Sequence, residues 1–103
     1  MPSWVDIGEA SEVAEGRGKA FFENDIRLAV LRHEGKLYAL DEMCTHAEAS
    51  LAFGHLEDGC VACPWHYAQF DLATGEAKSL PAVEGVETYP VRETEAGRIE
   101  VEV

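Results

Sequence analysis

Short apolar runs alternate with turn residues along the chain, and they predict strands in preference to helices. Residues 26–32 and 36–41 are β-prone runs separated by a break that contains Gly35, which is typical of a hairpin. The Asp58-Gly59 turn and the break at 73–75 predict two further hairpins. Residues 11–15 could be helical, but this stretch is too short to change the fold class.

The C-terminal residues show the clearest period of two. Ile99, Val101 and Val103 alternate with glutamates, which predicts a strand with one buried and one charged face. Residues 88–92 are expected to pair with it across a turn at 96–97. Turn signals recur about every ten residues, so we predict a single all-β domain over 1–103, an antiparallel sandwich or barrel.

Charge and composition narrow the range of partners. The chain has 103 residues with 8 Lys and Arg against 20 Asp and Glu, a net charge of −12. Nucleic acids and anionic membranes are therefore unlikely partners, because both are bound through clustered cations. The same charge favours attraction to basic protein surfaces and disfavours self-association, so we expect a monomer.

The cysteine count and the apolar runs indicate the compartment. Three cysteines are a poor count for a secreted disulfide scaffold, and residues 1–10 lack the apolar run of a secretory signal. No segment approaches the roughly 20 apolar residues that span a bilayer. We therefore expect a reduced, cytoplasmic protein.

Two cysteine–histidine pairs depart from the alternating pattern. Cys44 and His46 form a Cys-x-His pair, and Cys63 and His66 form a Cys-x-x-His pair after an intervening sixteen residues. That gap accommodates two strands and the Asp58-Gly59 turn, so both pairs are expected at one end of the sheet. Two thiolates and two imidazoles that converge from two loops predict a metal centre.

The residue types leave two metals open. A Cys₂His₂ set can hold one tetrahedral Zn²⁺. Zinc sites more often take both cysteines from one segment and both histidines from another, whereas here each segment supplies one of each. The mixed pairing favours a 2Fe–2S cluster in which one iron takes both thiolates and the other takes both imidazoles.

The pattern Cys-x-His followed by Cys-Pro-x-His, on an all-β chain of this length, resembles the Rieske 2Fe–2S proteins, most of all the small soluble ferredoxins of bacterial oxygenase systems. The resemblance covers about residues 41–90 and includes Phe70-Asp71-Leu72, Thr74-Gly75 and Leu80-Pro81. It implies a sandwich with a cluster-binding subdomain at about 42–82 that has two ligand loops. It further implies that Cys44 and Cys63 bind the inner iron, that His46 and His66 bind the outer iron, and that Pro81 lies in a third loop covering the cluster.

This chain departs from the respiratory branch of that family in two ways. The positions of the additional disulfide cysteines hold Ala49 and Trp65, so no disulfide can join the ligand loops. The positions that supply hydroxyl groups to cluster or cysteine sulfur hold Ala68 and Phe70. Because such hydrogen bonds stabilise the reduced cluster, their absence predicts a reduction potential near the lower limit for Rieske centres, about −150 mV.

Several other residues could carry chemistry but have simpler explanations. We expect Cys60 to be an ordinary buried thiol, His33 to be solvated in a hairpin turn and His55 to lie on the surface. An apolar rim for docking or for shielding the cluster is expected from Ala47, Leu51, Trp65 and Tyr67. A solvated acidic face is expected from Glu84, Glu87, Glu93 and Glu95.

The resemblance implies an electron-transfer protein that is not itself an enzyme. One electron would arrive from an NAD(P)H-dependent flavoprotein reductase and leave to a terminal oxygenase through transient contacts. An oxygenase iron triad needs two histidines and a carboxylate with open coordination positions, and only His33 and His55 remain after the cluster ligands, so we expect no such site in this chain. Two alternatives stay open: a small subunit of an assimilatory nitrite reductase, and a zinc-stabilised β module that binds another protein.

Overall fold

The computed structural model describes residues 3–23, 25–43, 50–64, 68–78 and 85–103. Within these ranges the paired strands are antiparallel, which confirms the predicted all-β class. The strands are β1 (Trp4–Glu9), β2 (Gly18–Glu23), β3 (Ile26–His33), β4 (Lys36–Asp41), β5 (His55–Glu57), β6 (Cys60–Ala62), β7 (Gln69–Asp71), β8 (Thr88–Tyr89), β9 (Val91–Glu93) and β10 (Arg98–Glu102).

The described residues form three sheets, with strand orders β1-β10-β9, β2-β3-β4-β8 and β5-β6-β7. Strand β3 is buried on both faces, as its continuous Leu-Ala-Val-Leu run requires. Leu28 and Val30 pack in a core with Ile99 and Val101 of β10, whereas Ala29 and Leu31 pack in a second core that contains residues of β6 and β7. We name the three sheets, in the order given, the closing sheet, the middle sheet and the site sheet.

The predicted hairpins are present. Asp58 and Gly59 have φ values of +51° and +77°, the backbone that a two-residue turn needs, and they join β5 to β6. The β3–β4 turn is formed by Glu34 and Gly35, also with positive φ. After β7, the third hairpin returns through a bridge between Phe70 and Ala77 in place of a full strand.

The predicted strand over 88–92 is wrong as one element. Pro90 divides it into β8, which pairs with β4 of the middle sheet, and β9, which pairs with β10 of the closing sheet. Proline has no N–H group to donate to a sheet ladder, so the chain changes sheets at this residue. The pairing of β9 with β10 across 96–97 is as predicted.

The short helical stretch expected at 11–15 is a single 3₁₀ turn over Ala10–Glu12. A second 3₁₀ turn, Leu51–Phe53, lies between the middle sheet and β5. Among the described residues, helix content is limited to short turns of this kind, and none is of a length and apolarity that could cross a bilayer.

The two ends of the chain are held together by the closing sheet. Val5 pairs with Val101, and Ser3 and Val103 exchange two backbone hydrogen bonds of 3.0 and 3.1 Å. The predicted alternation of the last strand is confirmed, since Ile99 and Val101 are fully buried.

Candidate metal centre

The β5–β6 hairpin places Cys63 beside the 3₁₀ turn that follows residues 44–49. His55 pairs with Ala62, so Gly54 and Cys63 lie at the open end of this hairpin. The backbones approach so closely that a Cβ added at Gly54 would collide with the carbonyl oxygen of Ala62. Leu51 and Cys63 share one buried core. The sixteen-residue spacing therefore does bring the flanks of both predicted ligand segments to one end of the sheet.

Backbone contacts bring together the residues on either side of each ligand segment. Met43 and Ser50 form an antiparallel bridge, and the Leu51 N–H donates to the carbonyl of Glu42 at 2.7 Å. The Cys63 N–H donates to the carbonyl of Ala68 at 2.7 Å. The two segments 44–49 and 65–67 thus begin and end at fixed points of the fold.

The flanks of residues 79–84 are fixed in the same way. The Lys78 N–H donates to the Gln69 carbonyl at 2.7 Å, and the Val86 N–H donates to the Gly75 carbonyl at 2.8 Å. Gly75 has a φ of +77°, and a Cβ there would collide with the Val86 carbonyl oxygen. Glycine in the Thr74-Gly75 pair is therefore required by both its backbone conformation and this contact.

One of the four predicted ligands lies within the described part of the chain. Cys63 is fully buried at the end of β6. Cys44, His46 and His66 lie outside the described residues, as do Pro81, Ala49 and Trp65. Among the residues that the structure describes, no group of three or more His, Cys, Asp or Glu side chains could hold a metal ion.

The surroundings of Cys63 are apolar and lack side-chain hydroxyl donors at the two positions noted in the sequence. Ala68 and Phe70 are both fully buried and belong to the same core as Cys63. Neither has a side-chain group that can donate a hydrogen bond. A thiolate that binds metal here would lie against a low-dielectric wall, which suits a buried metal–sulfur bond.

Charged and polar contacts hold the end of β4, and sequence reasoning missed them. Glu42 is 7% exposed, and its carboxylate accepts a hydrogen bond from Arg27 Nε at 3.0 Å. The Tyr89 hydroxyl donates to Asp41 at 2.7 Å, and burial together with that carboxylate raises the pKa of Tyr89. Two acids at the end of an apolar strand, directly before a ligand segment, are the signal that could have found these contacts.

The expectations for the spare residues meet different outcomes. His55 is on the surface as predicted, with its ring 3.3 Å from Glu57. His33 is not solvated: it ends β3 with a largely buried side chain, and Nε2 accepts a hydrogen bond from the Gly59 N–H at 3.1 Å. Cys60 is half-buried, contrary to the expected buried thiol, and burial raises its pKa.

The predictions for the apolar rim and the acidic face also have different outcomes. Leu51 is fully buried and cannot form part of an exposed rim, because it packs into the core that contains Cys63. Ala47, Trp65 and Tyr67 lie outside the described residues. Of the predicted acidic face, Glu87, Glu93 and Glu95 are exposed, and Glu84 is outside the described residues.

Taken together, the geometry fits a metal–sulfur centre. Cys63 is buried in an apolar wall, and the flanks of both predicted ligand segments meet at one end of the described fold. A thiol buried in such a wall can hold a metal–sulfur bond out of water.

Comparison with protein families gives a match over most of the chain. The model described as the Rieske [2Fe-2S] domain matches residues 3–90. The chain is 36% identical over 103 residues to the anthranilate 1,2-dioxygenase ferredoxin subunit of Burkholderia cepacia, covering 100% of this chain and 94% of that protein.

Solved structures agree on the fold. The chain superposes with a TM-score of 0.83, at 30% identity, on a chain of the complex of reduced oxygenase and oxidized ferredoxin in carbazole 1,9a-dioxygenase, covering 96% of this chain and 92% of that one. It also superposes with a TM-score of 0.89, at 25% identity, on a structure described as an NADH-dependent nitrite reductase small subunit from Mycobacterium tuberculosis, covering 100% and 96%.

Proposed function

The chain belongs to the Rieske [2Fe-2S] domain family, and on that premise we propose that it is the ferredoxin component of a dioxygenase system. It binds one 2Fe–2S cluster of the Rieske type and transfers electrons without itself being the catalytic oxygenase. The observation that supports this most is the match over the full chain to a dioxygenase ferredoxin subunit.

The proposed cluster ligands are Cys44, His46, Cys63 and His66, with the cysteines on one iron and the histidines on the other. The full burial of Cys63 and the paired flanks of both ligand segments support this assignment. When bound, the cluster supplies a centre that accepts and releases one electron. Neutral imidazole ligands leave less negative charge on the centre than thiolates would, which makes reduction easier.

The residues around Cys63 favour a low reduction potential. Phe70 and Ala68 exclude water and supply no side-chain hydrogen bond to sulfur, so the reduced state is stabilised less than with hydroxyl neighbours. The potential therefore belongs near the lower limit for Rieske centres, about −150 mV. That value suits a carrier supplied with electrons from NAD(P)H.

The proposed partners are an NAD(P)H-dependent flavoprotein reductase, which delivers the electron, and a terminal oxygenase, which accepts it. A ferredoxin of similar fold forms a complex with its oxygenase in the carbazole 1,9a-dioxygenase system. The surplus of 20 acids over 8 bases would steer the chain toward basic surfaces on either partner. We propose that the chain forms these transient contacts as a monomer in the cytoplasm.

Two pairs of matched variants test the ligand assignment. The purified protein should be red-brown, and the dithionite-reduced form should give an EPR signal with an average g below the free-electron value. Cys63→Ser should abolish colour, iron and signal, whereas Cys60→Ser, three residues away and half-buried, should keep all three. His46→Ala and His55→Ala form the corresponding histidine pair. A colourless wild-type protein with one zinc per chain would reject the cluster and electron transfer together.

Reconstituted turnover tests the partners. The reduced protein should support product formation by the oxygenase of the anthranilate 1,2-dioxygenase system or another dioxygenase of this class, in the presence of NADH and a ferredoxin reductase. Support of nitrite reduction in place of oxygenase turnover would favour the nitrite reductase alternative, to which the second structural match points.

A further inference from the structure

A cleft lies beside the proposed cluster site, at the junction of the middle sheet and the site sheet. It has a volume of about 520 Å³ and is lined by Gly16, Arg17, Gly18, Ala52, Phe53, Gly54 and His55. One wall is the start of β2, and the other is the 3₁₀ turn Leu51–Phe53, which follows ligand segment 44–49. The walls meet closely, because a Cβ added at Gly18 would lie 2.6 Å from the Ala52 carbonyl oxygen.

An exposed phenylalanine lies at this cleft. Phe53 is 77% exposed, although its neighbours Leu51 and Ala52 in the same turn are buried. Its exposure is the largest among the described large apolar residues, ahead of Phe22 at 65%. An aromatic ring held by a fixed turn loses little conformational entropy on binding, which makes it a suitable anchor for a partner.

An arginine that forms no ion pair with a described residue lies at the opposite wall. All eight Lys and Arg residues are within the described part of the chain, and six of them lie within 4.0 Å of a carboxylate there. The other two are Arg17 and Lys36, and Lys36 is instead above the ring of Tyr38 at 5.4 Å. Arg17 is exposed and has no carboxylate partner among the described residues, so its guanidinium is available to a carboxylate from outside.

We propose that this cleft is a contact surface for the terminal oxygenase, which places a carboxylate against Arg17 and an apolar side chain against Phe53. This inference rests on the proposed function. The cleft adjoins the turn next to the first ligand segment, so a partner seated there lies beside the proposed electron-transfer site. Elsewhere the molecule presents mainly acids, so one local cation fixes the orientation of a partner that the overall charge only attracts.

Two pairs of variants isolate this surface from general effects. Arg17→Glu is matched by Lys36→Glu, since both change the net charge equally at the two cations without ion pairs. Phe53→Ala is matched by Phe22→Ala at the next most exposed phenylalanine. The measurement is steady-state oxygenase turnover as a function of ferredoxin concentration, together with the reduction potential and the rate of reduction by the reductase.

We expect Arg17→Glu and Phe53→Ala each to raise the KM for ferredoxin about tenfold, with kcat at saturation, the potential and reduction by the reductase unchanged. The two controls should change the KM less than twofold. Equal effects of Arg17→Glu and Lys36→Glu would overturn the inference, because net charge would then explain both. Slower reduction by the reductase with normal oxygenase turnover would also overturn it, since the reductase would be the occupant.

The two proposals fail in different ways. If wild-type ferredoxin supports no oxygenase, the proposed function fails and this inference falls with it. If wild-type ferredoxin supports turnover and all four variants behave like it, only the contact surface is rejected. Unchanged cluster absorbance and thermal midpoint confirm that a variant with a raised KM is correctly folded.

Discussion

The two outer sheets of the molecule are stabilised in different ways. The closing sheet is formed by paired strands of up to six residues. Ion pairs reinforce its exposed face, and the guanidinium of Arg92 lies 4.0 Å from the centre of the Trp4 ring. The site sheet has three strands of only three residues each. Its residues Val61, Cys63 and Phe70 are fully buried against the middle sheet.

The difference shows how a region of short strands can support the proposed metal centre. Three-residue strands contribute few ladder hydrogen bonds, so packing against Ala29, Leu31 and Leu40 of the middle sheet must fix their position. Cys63, the proposed ligand that follows β6, is thereby held in place by the packing of its core. The closing sheet relies on the longer strands β1 and β10, whose pairing shifts register once, between Asp6 and Gly8.

The largest loss of stability is expected when the largest fully buried side chain of the site sheet is removed. Phe70→Ala should lower the free energy of unfolding by about 3–5 kcal/mol, because a cavity replaces a fully buried ring. Since Phe70 packs in a core that includes middle-sheet residues, we expect one cooperative transition in chemical denaturation, with cluster absorbance and far-UV circular dichroism lost together. Separate transitions would show that the site sheet unfolds alone, contrary to the shared core.

The next largest effect is expected for a glycine-to-alanine substitution, which should lower the stability of the two outer sheets by different amounts. Gly54→Ala should cost about 3 kcal/mol, because the new methyl group meets the Ala62 carbonyl and the Val61 side chain, both held in the site sheet. Gly97→Ala, in the turn before β10, meets nothing within 4 Å and should cost only about 1 kcal/mol for its positive φ. Thermal or urea unfolding of the two variants measures the difference, and equal losses would mean that close packing is not what distinguishes the site sheet.

The smallest expected effect is on the pH dependence of stability, through an ion pair of the closing sheet. Arg98 donates to both carboxylate oxygens of Asp6, at 2.9 to 3.2 Å, and these hydrogen bonds hold the pKa of Asp6 below its ordinary value of 3.8. A carboxyl group whose pKa is lowered by folding stabilises the folded state at pH values above its ordinary pKa. That contribution is lost as the pH falls through the folded-state pKa. Asp6→Asn should therefore be slightly less stable than wild type at pH 7 and equally stable near pH 2. A constant difference across that range would mean that the ion pair contributes nothing.

The regular part of the fold was predictable because local signals determine it. Positive-φ turn residues at 34–35 and 58–59 and the alternation after residue 98 predict elements without knowledge of the third dimension. The change of sheet at Pro90 was not predicted, because the run of residues 88–92 does not by itself show that its two halves pair with strands of different sheets. The burial of His33 was missed because its partner, Gly59, belongs to a different hairpin.

The donors of the candidate site stay a prediction from the sequence, and the contacts that support the site could not be predicted from it. Cysteine and histidine at metal-ligand spacing are visible in the sequence, and the burial of Cys63 agrees with that use. The Glu42–Arg27 pair and the cleft between Arg17 and Phe53 depend on strands that are distant in sequence. Contacts of that kind follow from the arrangement of sheets, which no short pattern specifies.

The pairing of the first strand with the last has a consequence for the order of events during synthesis. β1 precedes the hairpins of the other two sheets in the sequence, yet its partner β10 follows them. The hairpins of the middle and site sheets, and all four proposed ligands, are made before the closing sheet can form. All four proposed ligands can therefore be synthesised while one core is still open, and the five-residue strand β10 closes that core afterwards.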